Sequence, residues 1–137
     1  MLAPLLQTLL RLEGHSDSVE ISVVFSDDAF IQALNNRYRN LDKPTDVLSF
    51  AQEDDAEMLG DIVISLPTAA RQAALAGWPL QSEAMLLAVH GLLHLLGYDD
   101  ETGKGAQIMQ MKTMQALTAH GIRLPAGNHP FFMETSE

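Results

Sequence analysis

The chain has 137 residues, of which 47% are apolar and 19% are charged, a composition typical of one globular domain rather than a disordered chain. It contains no cysteine, which excludes disulfide bonds, thiolate zinc sites and a cysteine nucleophile. Eight basic and eighteen acidic residues give a net charge of −10, which argues against a broad non-specific nucleic-acid surface but permits a local basic patch.

The first half of the chain carries the signals of two helices and three strands. Apolar residues recur with helical spacing over residues 2–12, and Ser26 or Asp27 can cap a second helix that reaches about Tyr38. Alternating or β-branched segments predict strands at residues 19–25, 45–50 and 59–65. We expect a turn at residues 40–44, and the acidic stretch 53–57 is interpreted as a solvated connection.

The second half is predicted to be helical. Three helices are expected, at residues 67–77, 82–97 and 103–120, with Ser82 as the N-cap of the second. The second is apolar on nearly every side, which predicts a position in the centre of the domain. The inward stripe of the third is predicted to contain Ile108, Met109, Met111, Met114 and Leu117. Residues 125–137 are expected to form a loosely ordered tail.

Together these elements predict one α+β domain over residues 1–137, in which a small mixed sheet is packed by about five helices. The longest apolar stretch, residues 84–96, is thirteen residues long, whereas a membrane-spanning helix needs about 20. The N-terminal segment has no basic residue before Arg11 and no small-residue cleavage site, unlike a signal peptide. We therefore expect a cytoplasmic protein with no membrane association.

Two histidines stand in the predicted central helix. His90 and His94 are four residues apart, so they share one helix face about one turn from each other. Burying two imidazoles costs free energy unless each has a partner, and one metal ion would satisfy both. Gly97 permits a chain reversal that brings Asp99 or Asp100 back as a third ligand, a known catalytic zinc set. Hydrogen bonds to the main chain or to water are the alternative.

Other uses of two histidines fit less well. In HExxH metalloproteases the residue after the first histidine is a glutamate general base, whereas here it is Gly91. A hydrolase acting on peptides is therefore a poor match. Iron oxygenases also use two histidines and a carboxylate, but their usual cofactor-binding features are not evident.

A second group of residues lies upstream. Arg37, Arg39 and Lys43 against Asp42 give residues 35–45 a local charge of +2, the one basic concentration in an acidic sequence. A planar arginine can bind a phosphate with two hydrogen bonds. A solvated surface turn is the alternative interpretation.

Three strings resemble a known family. LNNRYRNLDKPTDVLSF at residues 34–50, LGDIVIS at 59–65 and HGLLHLLGYD at 90–99 are similar, in order and spacing, to the YbeY family of metal-dependent endoribonucleases. The resemblance implies a zincin-like fold and a zinc ion held by His90 and His94, with Arg39 at the mouth of the site. Because the N-terminal segment is shorter than in the family, three or four strands are expected.

The resemblance also implies a function. It implies cleavage of single-stranded ribosomal RNA at the ribosome or its small subunit, in maturation of the 3′ end of small-subunit rRNA and in ribosome quality control. His90 and Arg39 would be the catalytic residues, with metal-bound hydroxide as the simplest nucleophile. Thr45, Asp46 and Ser49 are expected to shape the cleft, and a role only as polar groups of the turn and strand is the alternative.

One departure from the family bears on catalysis. The family pattern continues GYDH with that histidine as third ligand, whereas this chain has Asp100 there. The negative charge of Asp100 would weaken the pull of the metal on its bound water. The alternatives are therefore a ribosome-associated binding factor with weak or lost catalysis, or a metallohydrolase acting on another class of substrate. Asp99 is expected either to orient a ligand or to cap the last helix.

Overall fold

A computed structural model of the chain describes residues 2–16, 19–52, 57–125 and 129. This part of the chain forms five helices and three strands, which confirms the predicted α+β class. The helices are α1 (Leu2–Leu12), α2 (Asp28–Arg39), α3 (Leu66–Ala76), α4 (Leu80–Leu95) and α5 (Gly103–Ala119). The strands are β1 (Glu20–Ser26), β2 (Val47–Ala51) and β3 (Met58–Ser65).

The sheet is mixed, as predicted, with the strand order β1-β3-β2. β3 is the central strand, so β2 lies at one edge. β3 is parallel to β1 and antiparallel to β2. Because side chains alternate along a strand, the two faces of the sheet pack against different helices. Leu48 and Val63 cluster with Ile31 of α2, whereas Ile62 and Ile64 belong to the main core with α4.

Helix α4 is the centre of the domain, as its all-round apolarity predicted. Nine of its sixteen residues are buried, including Leu86, Val89 and Leu92, and it packs against the sheet, α1, α3 and α5. Glu83 is one of the nine, and its carboxylate accepts a hydrogen bond of 2.8 Å from Trp78 Nε1. His129 Nε2 lies 2.9 Å from the same oxygen. The buried acid therefore has polar partners, as burial of such a group requires.

Two details of the sequence prediction are wrong. Helix α4 begins at Leu80 rather than at Ser82, because the amide of Glu83 already bonds to the carbonyl of Pro79 and closes the first turn. Met111 was predicted to face inward, but it is 52% exposed. The buried face of α5 is formed by Met109, Thr113, Ala116 and Leu117. Position 111 lies about 200° from position 109 around a helix, which explains the difference.

Some sequence predictions fall outside the described residues. These are residues 53–56 of the acidic connection and, apart from residues 125 and 129, the predicted tail. A single domain over residues 1–137 stays a prediction. Within the described ranges, no helix has the length and apolarity needed to cross a membrane.

Gly91 lies where α4 packs closely on the sheet, and a side chain there should destabilise the fold. A Cβ atom would lie 2.7 Å from Ile62 Cγ2 and 3.0 Å from Ser49 Oγ. We expect Gly91→Ala to lower the free energy of unfolding by about 1–2 kcal/mol, because overpacking costs ~1–3 kcal/mol and the better helix propensity of alanine offsets only part of it. Urea unfolding followed by fluorescence of Trp78, the single tryptophan, measures this change.

The matched control is Gly103→Ala, at the first residue of α5, where a Cβ atom would meet nothing within 4 Å. This variant should be as stable as the wild-type protein or slightly more stable. Equal stabilities for Gly91→Ala and Gly103→Ala would contradict the close packing between α4 and the sheet.

Candidate metal centre

The chain reverses direction at the end of α4. The amide of Gly97 donates to the carbonyl of His94 and the amide of Tyr98 donates to the carbonyl of Leu93, both at 3.0 Å. This pair of bonds is a Schellman motif. Gly97 has a φ angle of 103°, a conformation that glycine adopts more readily than other residues. The reversal returns Tyr98 and the acidic residues after it toward the last turns of the helix.

The two histidines meet at their Nε2 atoms. His94 Nδ1 lies 3.0 Å from the carbonyl oxygen of Tyr98, which can only accept, so Nδ1 carries the hydrogen. In the neutral ring, Nε2 of His94 therefore presents a lone pair, and it lies 3.0 Å from His90 Nε2. Metal-binding histidines typically donate their second ring N–H to such a carbonyl. The ring of His94 is therefore oriented with its Nε2 lone pair toward His90, an arrangement that is compatible with metal binding.

Asp100 lies beside the same two nitrogens. Its Oδ2 is 3.6 Å from His90 Nε2, which is too long for a hydrogen bond. Burial and the neighbouring His94 lower the pKa of His90 to about 4, whereas Asp100 acts in the opposite direction. His90 is therefore neutral at pH 7, and its contact with Asp100 is not an ion pair.

His90, His94 and Asp100 together form a donor set suited to a cation. Their ligand atoms all lie within 4.8 Å of one another, and no other such group of three was found in the described part of the chain. The set lies at the C-terminal end of α4, where the helix dipole favours positive charge. Two imidazoles and one carboxylate fit zinc with one coordination position left for water or substrate.

These residues line a cleft of about 320 Å³. Arg39 reaches it from the end of α2. Thr45 and Asp46, which precede β2, and Ser49 within β2 also line it. The structure thus brings together all the site residues predicted from the sequence: Arg39, His90, His94 and Asp100. Arg39 is separated from the histidines by about fifty residues in the sequence, so packing alone sets this proximity.

The polar groups in and just before β2 are held in place by hydrogen bonds. Asp46 Oδ1 accepts from the amide of Val47 at 2.8 Å, and Asp46 Oδ2 accepts from Gln72 Nε2 at 3.2 Å. Burial raises the pKa of the Asp46 carboxyl group. Ser49 Oγ donates to the main-chain carbonyl of Gly91 at 2.9 Å, which ties β2 to the helix that carries the histidines.

In the acidic turn after α4, Asp99 has a local structural role. Asp99 Oδ1 accepts from the amide of Glu101 at 3.1 Å, so it stabilises the turn. The prediction that Asp99 caps the last helix is wrong, because Thr102 is the N-cap of α5 and accepts from the amide of Gly105. Asp99 and Glu101 nevertheless line the cleft with Asp100. Glu101 was not predicted as a cleft residue, and the signal that could have found it is its position directly after Asp99 and Asp100.

A second anchor of this turn had no signal in the sequence. The hydroxyl of Tyr98 donates to Glu13 Oε1, and Lys112 Nζ lies 2.8 Å from Glu13 Oε2. Glu13 follows α1 and Lys112 lies on α5, so the three residues come from distant segments. Because the Tyr98 carbonyl orients His94, this contact supports the geometry of the donor set.

Comparisons with known proteins point in one direction. A family model described as Endoribonuclease YbeY matches residues 1–121. A protein of Pelotomaculum thermopropionicum named Endoribonuclease YbeY is 48% identical over 119 residues, which cover 81% of this chain and 78% of the relative. One from Moorella thermoacetica with the same name is 45% identical over 130 residues, covering 86% and 83%.

The fold of this chain is similar to that of a solved structure. The solution structure of a Thermotoga maritima protein superposes with a TM-score of 0.59 at 25% sequence identity. The match covers 88% of this chain and 81% of the Thermotoga chain.

Proposed function

This chain belongs to the YbeY family of endoribonucleases, and we propose that it cleaves single-stranded ribosomal RNA at a divalent metal ion held by His90, His94 and Asp100. One observation carries the proposal. Two imidazole nitrogens and a carboxylate oxygen converge within 4.8 Å in a cleft that an arginine also lines. A cation bound there and an anion-binding side chain would both stabilise the negative charge that develops on phosphate during cleavage of a phosphodiester.

Zinc is the ion that we propose for this site. When bound it would act as a Lewis acid and lower the pKa of a coordinated water molecule. The neutral His90 and the orientation of His94 by the Tyr98 carbonyl support the assignment, since imidazole ligates in its neutral form. Asp100 adds a negative charge where the resemblance implies a histidine, and hard oxygen ligands suit manganese as well.

Arg39 is proposed to bind the scissile phosphate. It is exposed at the end of α2 and lines the cleft, where its planar guanidinium can donate two hydrogen bonds to phosphate oxygens. The same donors would offset negative charge that develops on the phosphate during cleavage. His90, proposed from the sequence as catalytic, acts in this scheme as a metal ligand.

The position of Gly91 argues against cleavage of peptides. A Cβ atom at this position would point at Ile62 and Ser49, toward the sheet. A glutamate there would therefore clash with these two side chains of the sheet. The general base of HExxH metalloproteases has no counterpart at this position.

The ribosome is the proposed site of action. A protein with a net charge of −10 binds RNA weakly unless the contact is confined to a basic patch or another molecule provides part of the surface. The patch of Arg37, Arg39 and Lys43 supports the first condition, and the small ribosomal subunit would provide the second. Maturation of the 3′ end of small-subunit rRNA and ribosome quality control, in the cytoplasm, fit this assignment.

Cleavage of a defined RNA by the purified chain tests the proposal. The zinc-loaded protein is expected to cut an unpaired RNA oligonucleotide, to leave the same sequence uncut in a duplex, and to leave a peptide library intact. Removal of the metal with a chelator should abolish cleavage, and added zinc should restore it. Protein that holds stoichiometric metal but does not cut RNA with any divalent ion would favour the alternative of a ribosome-associated binding factor. The presence of Asp100 in place of the third histidine is the sequence feature that raises this alternative.

A further inference from the structure

A second concave surface lies on the α2 side of the sheet. It has a volume of about 470 Å³ and is lined mainly by apolar side chains, among them Phe30, Leu34, Tyr38 and Phe50, together with Asp61. We call it the aromatic groove. It shares no lining residue with the metal cleft. Phe30 is 50% exposed and Tyr38 is 58% exposed, and grouped exposure of this kind is typical of binding surfaces.

Two of the rings in the groove are in contact with each other, and a third, Phe30, lies on the same helix face as Tyr38. Phe30, Leu34 and Tyr38 recur every four residues and so lie along one face of α2. The ring of Tyr38 meets Phe50 edge to face, with their centroids 5.2 Å apart. The guanidinium carbon of Arg37 lies 5.3 Å from the Tyr38 centroid. Aromatic rings and guanidinium planes are the surfaces on which unpaired bases stack.

The groove and the metal cleft are joined by adjacent residues. Arg39, which follows Tyr38 on α2, lines the cleft, and so does Ser49, which precedes Phe50 on β2. Successive side chains of β2 point to opposite faces of the sheet, so the edge strand separates the two surfaces. A nucleic-acid strand that crosses this edge would pass from the aromatic rings to the metal site.

The charges around the groove favour RNA as its occupant, with the bases in the groove and the phosphates outside it. Arg37, Arg39 and Lys43 lie in or next to the end of α2 and can contact phosphates outside the groove. Asp61 lines the groove itself, where its carboxylate repels a phosphate but can accept hydrogen bonds from base amino groups. The groove therefore suits bases, while the adjacent basic residues suit the backbone.

We propose that the aromatic groove binds unpaired bases of the RNA substrate by stacking on Tyr38 and its neighbouring rings, and so positions the strand for cleavage at the metal site. The inference rests on the proposed function, since it assumes an RNA substrate. It also gives a physical basis for selecting single strands, because paired bases do not expose their faces for stacking.

Binding measurements on variants of Tyr38 test the inference. The probe is a short unstructured RNA with phosphorothioate linkages that resist cleavage, compared with an abasic oligonucleotide of the same backbone. Zinc-loaded Tyr38→Ala should bind the RNA about 5–100-fold more weakly than the wild-type chain, the effect typical of one stacked base. Tyr38→Phe should restore tight binding, and the abasic probe should bind all variants equally.

The matched control is Leu75→Ala, which removes an apolar side chain that is 83% exposed on α3 and should leave binding unchanged. With cleavable RNA, Tyr38→Ala should raise KM more than it lowers kcat, as expected for lost binding energy. Tyr38→Ala that binds RNA as tightly as Leu75→Ala would overturn the inference. Equal losses of affinity for the RNA and for the abasic probe would also overturn it. A loss of affinity confined to the small ribosomal subunit would overturn it too, because it would indicate a protein contact at the groove.

The outcomes separate the inference from the proposed function. Wild-type protein that cleaves single-stranded RNA, together with an unaffected Tyr38→Ala variant, would refute the groove and leave the endoribonuclease assignment intact. Wild-type protein that neither binds nor cleaves RNA would refute the proposed function, and the inference with it.

Discussion

Asp100→Ala is expected to bind zinc at least about 100-fold more weakly than the wild-type chain, and to lose most of its cleavage at a zinc concentration that just saturates the wild-type chain. Loss of a partner in the outer shell of a metal site costs roughly 10–100-fold in affinity, and loss of a direct ligand should reach or exceed that range. Asp100 is exposed, so its removal should leave the fold intact. Competition with a chromogenic chelator measures the affinity, and mass spectrometry measures the metal retained after dialysis.

Two further variants make this result specific. Glu101→Ala removes the adjacent acid, which lines the cleft but does not belong to the converging set, and it should retain metal. Asp100→His restores the third ligand that the family resemblance implies. It should keep the metal and cleave RNA at least as fast as the wild-type chain, because the site gains one unit of positive charge. If Asp100→Ala retains metal as tightly as Glu101→Ala, Asp100 is not a ligand.

Arg39→Ala is expected to lower kcat for RNA cleavage by about 10²–10³-fold while the metal content stays at the wild-type level. Removal of one preorganised donor to developing negative charge has effects of this size. Arg39→Lys should recover only part of the rate, since an ammonium group keeps the charge but loses the two-point contact with phosphate. Single-turnover cleavage measured beside metal content separates this role from metal binding.

The control for Arg39 is Arg123→Ala. Arg123 is also exposed, but it lies outside the cleft lining. The variant loses the same charge from the protein, so it accounts for any general electrostatic effect on RNA binding. An Arg39→Ala protein that holds its metal and cleaves RNA at the rate of Arg123→Ala would remove Arg39 from the mechanism.

Local signals in the sequence predicted the helices and strands well because each is set by neighbouring residues. Asp27 caps α2 by accepting from the amide of Phe30, as its residue type and position indicated. Serine is also favoured at N-caps, but Ser82 lies inside α4, since the carbonyl of Pro79 already closes the first turn. A capping residue is therefore informative only where no earlier residue can start the helix.

Buried polar contacts were less accessible to prediction. Glu83 lies in the first turn of α4, where an acidic residue is favoured whether or not it is buried. In the structure it is fully buried between Trp78 and His129, and His129 is 46 residues away. Neither the burial nor the pairing has a periodic signal, because both depend on how distant segments pack.

The sequence by itself determined the histidine pair and the reversal that follows it. His90 and His94 share a face because an α-helix repeats every 3.6 residues, and Gly97 ends the helix because it adopts a positive φ angle. Only the tertiary structure decided which distant groups face that pair. Arg39 and Ser49 reach the cleft because α4 packs closely on the sheet at Gly91, and such packing depends on the shape of the whole core rather than on local hydrogen bonds.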